Sequence, residues 1–285
     1  MAKEVKRPRK HHYLPEFHLK RWANEDGRIF RFTQPFDEVV MRRVYASQIG
    51  FEEDLYTAAD TTSEERVEIE TKFFQSVDSA AATALSKIIQ RLDLEADELR
   101  AWVIYVRSLM HRTPEDLKVF KETAHDHIRM STKMLARNVR IQPALIDRTK
   151  FQDELLILKT LPRVILNARI LELLTSCHWV VIDVSDAKHK LLVSDNPVIR
   201  TNGLLIEMGH IGLPLSPTLL CIGAPKIATI EVISKLSGSW LVKQTNSQIV
   251  QGARHFIAAS DDTQFEFIKK HFSSGKRYPV LKPEL

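Results

Sequence analysis

Residues 161–184, LPRVILNARILELLTSCHWVVIDV, carry the change of hydrophobic period on which the fold class turns. Up to Ser176 the apolar residues recur at helical spacing, and from His178 onward they crowd into a β-branched run typical of a strand. Upstream of this point the centre of the chain reads as helical. Val67, Phe73, Phe74, Val77, Ala81, Leu85 and Ile88 keep one helical face behind a Thr62–Glu65 capping box. Leu99, Trp102, Val103, Val106 and Met110 form the buried face of a second helix, from Glu95 to His111. Thr113 is a cap and Pro114 a first-turn residue for a third, while a fourth, over 150–176, is expected to kink or split at Pro162.

Strands flank this helical centre. Residues 28–34 and 39–45 read as one hairpin, and HWVVIDV, SDAKHK and LLVS read as a second. Short strands are expected at 204–208 and 218–222, a helix at 246–253 feeding the strand HFIAAS, and a last helix over QFEFIKKHF. Because the strands are grouped and do not alternate with helices, the expected class is α+β: a central helical bundle packed with N-terminal and C-terminal antiparallel β elements. One domain is expected over 11–272, with a hairpin lobe to about 60, a helical core to about 176 and a β-rich lobe beyond. Residues 1–10 then form a basic tail and 273–285 a loose one.

Composition narrows the chemistry. At 285 residues, with 44% hydrophobic and 27% charged, the chain can bury a substantial core. Cys177 and Cys221 are the sole cysteines and have no paired spacing, which fits a reducing cytoplasm and excludes a thiolate zinc finger. No run of about 18 apolar residues predicts a membrane span. Phosphate loops, serine-hydrolase elbows and the zinc-protease HExxH are absent. His125 and His127 leave a helix on opposite faces and do not share a metal. Glu70-Thr71-Lys72 imitates a metal-dependent nuclease motif that needs a strand, whereas a helix is predicted there. Glu70, on the apolar stripe, calls for a buried ion-pair partner. Arg107 and His111 loosely resemble the ribonucleases called HEPN, but three intervening residues are too few, leaving an ordinary basic helix end.

Five separated segments, His11-His12-Tyr13-Leu14-Pro15-Glu16-Phe17-His18-Leu19, Leu55-Tyr56-Thr57, Arg112-Thr113-Pro114, Ser194-Asp195-Asn196-Pro197-Val198 and Pro214-Leu215-Ser216-Pro217, together resemble the bacterial family called domain of unknown function 4238. Leu55 departs from it, an aromatic residue being more usual there. The resemblance implies no activity, so roles rest on residue chemistry. His12, Arg112, Asp195 and Asn196 are polar or ionisable residues at element ends, where sites are commonly built.

One reading is a hydrolase acting on a phosphodiester in nucleic acid. His12 is its general acid or base, Asp195 orients His12 or binds a divalent metal, Asn196 presents an amide to a substrate oxygen, and Arg112 holds phosphate. Another is a noncatalytic recognition module in a phage-defence or toxin-like setting. A third is purely architectural, with turn-forming Asp195 and Asn196 and a core histidine.

The net charge of +5 lies wholly in the first fifty residues, which hold 11 Lys+Arg against 6 Asp+Glu; the remainder balances at 30 against 30. Phosphate contacts through Lys3, Lys6, Arg7, Arg9 and Lys10 weaken steeply with salt. Deleting residues 1–10 should therefore weaken oligonucleotide binding and flatten its salt dependence in a fluorescence-anisotropy titration; an unchanged slope excludes the tail.

Overall fold

Residues 10–57, 69–138, 150–201 and 203–274 are described by a computed structural model. The Thr62–Glu65 box, the basic residues 3–9 and the side chain of Glu70 lie outside what is described. Strand β1 (Lys10–His12) pairs antiparallel with β4 (Phe51–Glu53). Between them Pro15 stands at the N-cap of the short helix α1 (Glu16–Leu19), which tightens into a 3-10 turn over Lys20–Trp22. The first hairpin forms as its alternation predicts, from β2 (Arg28–Thr33) and β3 (Val40–Tyr45).

The helices begin with a π-helical turn over Ile69–Phe74 that runs into α2 (Gln75–Ile89), so the Glu70–Lys72 segment is helical and not a strand. Next come α3 (Ala96–Leu109), α4 (Pro114–Asn138), α5 (Lys150–Ile165) and α6 (Ala168–Thr175). Glu95 and Glu98 close a capping box on α3. The Thr113 hydroxyl accepts the Asp116 N–H at the start of α4, the capping its sequence predicts. Pro162 does not split the fourth helical region. The break falls at Leu166–Asn167, where the Asn167 side chain accepts the Ile170 N–H and starts α6.

The C-terminal strands pair differently from the sequence expectation. Strand β5 (His178–Asp183) lies against β9 (Leu219–Ala224), and β6 (Val193–Ser194) against β10 (Ile257–Ala259), so the expected second hairpin does not exist. The hairpin here is β8 (Ile211–Ser216) with β9. Residues 204–208 form a loop between β7 (Ile199–Arg200) and β8. Two more helices, α7 (Ile227–Ser234) and α8 (Gly238–Gly252), precede β10, and α9 (Phe265–His271) follows it. All pairing is antiparallel: one sheet runs β3-β2-β10-β6, another β5-β9-β8-β7, and the β1-β4 pair stands apart. With helices grouped in the middle of the chain, the protein is α+β.

The largest core joins Leu14, Trp22, Phe74, Trp102, Leu158 and Leu213, residues from the N-terminal segment, the helices and β8. Each such fully buried side chain contributes about 1.5–3 kcal/mol. A second core packs Phe32 of β2 against Ile249 of α8, Ile257 of β10 and Ile268 of α9, and a third seats α7 on β9 through Ile230 and Ile222. No helix among the described residues is long and apolar enough to cross a membrane.

Two polar side chains that enter this core are matched there. The indole N–H of Trp22 donates to the Leu191 carbonyl at 2.8 Å. His18, wholly buried and stacked on Trp22, lies 2.9 Å from the Pro214 carbonyl through Nε2 and 3.0 Å from the Tyr105 hydroxyl through Nδ1. The carbonyl fixes the proton on Nε2, so Tyr105 donates to Nδ1. Two of the five family-like segments meet in this contact.

Burial lowers the pKa of His18 to about 4, and burial followed by the charges of Arg107 and Arg200 lowers that of His111 to about 2. Both imidazoles are neutral in the fold and protonate near pH 6.5 once the chain unfolds. Their stabilising contribution is therefore whole above pH 6.5 and is lost as the pH falls from there toward 4, by about 1.4 kcal/mol per pH unit for each histidine. Urea unfolding at pH 7, 6 and 5 should show this loss, and His18→Gln should reduce its slope; equal slopes would exclude His18 as a source.

Candidate functional site

The junction between α3 and α4 carries Arg112, whose side chain is wholly buried. Its Nη1 donates to Asp78 of α2 at 2.9 Å, and its guanidinium lies over the faces of Phe74 and Tyr105 at 5.4 and 5.6 Å. The Arg112 carbonyl accepts the Tyr56 hydroxyl, while the Tyr56 N–H donates to His11 Nδ1. Burial pushes the Asp78 carboxyl up, against the pull of Arg112, and the guanidinium stays charged. Arg112 thus ties β1, the Leu55–Thr57 segment, α2 and the helix junction together.

His12 belongs to the neighbourhood of Arg112. Its ring is tilted against Phe51 at 5.6 Å, and its Nε2 is buried without a partner. Burial lowers its pKa; Glu16 opposes this, and Arg112, Lys10 and His11 add to it. Asp195 stands in other company. It is wholly buried, and its two oxygens accept the Arg254 N–H at 3.0 and 3.2 Å, with the Phe256 N–H reaching Oδ1 at 3.4 Å. Burial raises the Asp195 pKa, the Arg254 and Phe256 N–H groups and His255 work against that, and Glu115 adds to it.

The groups acting on His12 and those acting on Asp195 share no member. The residue of the first segment that feels Asp195 is Tyr13. His11 and Tyr13 are buried, and His12 between them is half-buried. Asn196 closes a turn, its N–H donating to Ser194 Oγ at 3.2 Å, and its amide lies near Gly252 at the end of α8, where a Cβ would come within 3.2 Å of Nδ2.

Around Asp195 the structure assembles two residues that the sequence did not mark as site residues. One ligand atom from each of Glu115, Asp195 and His255 lies within 4.8 Å of the others. Glu115 comes from the first turn of α4, Asp195 from the turn after β6 and His255 from the turn before β10. His255 Nε2 is ion-paired with Glu115, and the Glu115 carboxylate is the first cause of its raised pKa. Tyr13 packs on His255 with ring centroids 6.1 Å apart. Burial pushes its phenol far above the ordinary value, with Asp195, Glu115 and Glu52 adding to the shift. Two carboxylates and an imidazole fit a divalent cation of the zinc or manganese kind.

Fold and site define an α+β protein with a mixed carboxylate and imidazole cluster at the meeting of three chain segments. The model of a protein family of unknown function, DUF4238, matches residues 10–263, and the chain belongs to that family. No curated protein and no solved structure matches it.

Removing one partner of the Arg112–Asp78 pair strands a buried charge. Asp78→Asn should cost about 3–5 kcal/mol in urea unfolding, with Arg112→Met and Asp78→Leu combined losing much less. Equal losses in the single and double variants would show that the pair does not act as a unit.

Proposed function

We infer that the protein hydrolyses a phosphodiester, with nucleic acid as substrate, at a divalent-cation centre formed by Glu115, Asp195 and His255. The convergence of these three ligand atoms carries the reading. A cation held there supplies Lewis-acid polarisation of a phosphoryl oxygen. Asp195 is immobilised by the Arg254 and Phe256 amides, which sets the position of the centre. Glu115 and His255 keep part of their side chains exposed, so substrate reaches the centre from their side. Tyr13 keeps its O–H beside the two carboxylates and can donate it to an anionic oxygen. This arrangement replaces His12 with His255 as the imidazole at Asp195. It leaves Arg112 a positioning residue of the fold, because its charge is committed to Asp78.

A noncatalytic recognition module, as in phage defence, is the second reading. It is favoured by the loop between β7 and β8, where Leu205 is 76% exposed and Ile206 and Met208 lie beside it.

Hydrolysis of bis(p-nitrophenyl) phosphate and of single-stranded DNA and RNA is to be followed with manganese or zinc and with a chelator. Activity should disappear on chelation and return with metal. Glu115→Gln and His255→Ala should each lower kcat on the order of 100-fold, with Tm within about 2–4 °C of the parent. Cation-induced stabilisation without turnover of any substrate favours the recognition module; no response to cations removes the metal centre.

A further inference from the structure

The last turn of α3 and the turn just beyond it hold a second polar cluster that shares no residue with Glu115, Asp195 and His255. Arg107 is 7% exposed and His111 1% exposed, which an ordinary solvated helix end would not give. The helix closes between them, with the Met110 N–H donating to the Arg107 carbonyl and the His111 N–H to that of Ser108. Their side chains therefore stand at i and i+4 of a chain still curled as a helix, on one side of it. Arg107 Nε and His111 Nε2 are both buried and without a hydrogen-bond partner.

Charge makes the cluster more unusual. No carboxylate acts on Arg107 or on His111 among the described residues; the charge that acts on Arg107 is that of Arg200, at the end of β7, and both arginines act on His111. Burial, with Arg200 adding, lowers the Arg107 pKa to about 10, so the guanidinium still carries its charge at neutral pH. Asp78 compensates Arg112 at the neighbouring junction, whereas no carboxylate among the described residues does the same for Arg107. A buried cation without a counter-charge is costly, and an anion taken from outside relieves it. The guanidinium fork of Arg107 and the imidazole of His111 offer more N–H donors than the two oxygens of a carboxylate readily accept, whereas a phosphoryl group brings three or four oxygens, and Arg200 adds its positive charge nearby.

We propose that Arg107, His111 and Arg200 form a binding site for a phosphoryl oxyanion. The site stands on the burial and the unmatched nitrogens of Arg107 and His111, and binding there is measured without turnover, so it does not depend on the hydrolytic reading. The phosphoryl group can belong to free phosphate or to the backbone of a nucleic acid, and the two sources separate in the test.

The full chain is titrated at constant ionic strength with inorganic phosphate, with a single-stranded DNA oligonucleotide lacking terminal phosphates, and with acetate, reading Tm and calorimetric affinity. Saturable stabilisation by inorganic phosphate identifies the free anion, and stabilisation by the oligonucleotide alone identifies the diester backbone. In either case Arg107→Gln should weaken the affinity by about tenfold or more without lowering Tm in the absence of anion, since it removes an uncompensated charge. Arg200→Gln, at an exposed position, gives the same reading should Arg107→Gln fail to fold. The proposal is overturned if neither ligand stabilises the parent, if acetate protects equally, or if both variants retain the parent affinity.

Discussion

A guanidinium group sealed from water sits at the centre of this protein, and the surrounding elements are arranged to keep it tolerable. Arg112 is held by one carboxylate and two aromatic faces, and its backbone carbonyl by the Tyr56 hydroxyl. These partners come from the Leu55–Thr57 segment, from the helix that carries Phe74 and Asp78, and from α3, so the arrangement is complete only when all three have docked. Buried ion pairs seldom add much net stability over an apolar replacement, but they penalise arrangements that leave one member alone. Here that penalty selects a single arrangement of the helices beneath β1 and β4.

Local signals were legible in the sequence. The first hairpin follows from alternation, and α3 from apolar residues at helical spacing together with a cap. The start of α4 follows from Thr113 and Pro114. Tertiary pairing was not legible. HWVVIDV reads correctly as a strand, but its partner β9 lies beyond β6 and β7, and nothing in the polar segment between β5 and β6 announces this. Strand β8 is not among the strands the sequence leads one to expect, and it contains Pro214. The residue is tolerated where the ladder to β9 is irregular and beyond the two residues that pair with β7, so its missing N–H leaves no bond unmade.

The candidate site divides in the same way. Asp195 could be singled out because a turn-forming acid before Asn-Pro is visible in one segment. Glu115 reads in the sequence as an ordinary first-turn acid and His255 as the opening residue of the strand HFIAAS, and only the fold makes them neighbours. Tyr13, the neighbour of His12, carried no signal in the sequence, and it is the fold that sets its phenol under the influence of Asp195. Arg107 and His111 were recognisable as a pair, but nothing local marks them as buried.

The place of β10 in its sheet bears on how the chain matures as it is made. Residues 257–259 lie between β2 and β6, bonded on both sides. The first hairpin is synthesised well before β10, so the edge of β2 stays open until residues 257–259 have been made, which makes it a surface for nascent-chain chaperones or for unwanted strand pairing. His255 arrives in the same few residues. A product truncated before residue 255 therefore lacks both the strand that joins β2 to β6 and the imidazole beside Asp195, so the sheet is joined and the cluster assembled within a single short stretch of synthesis.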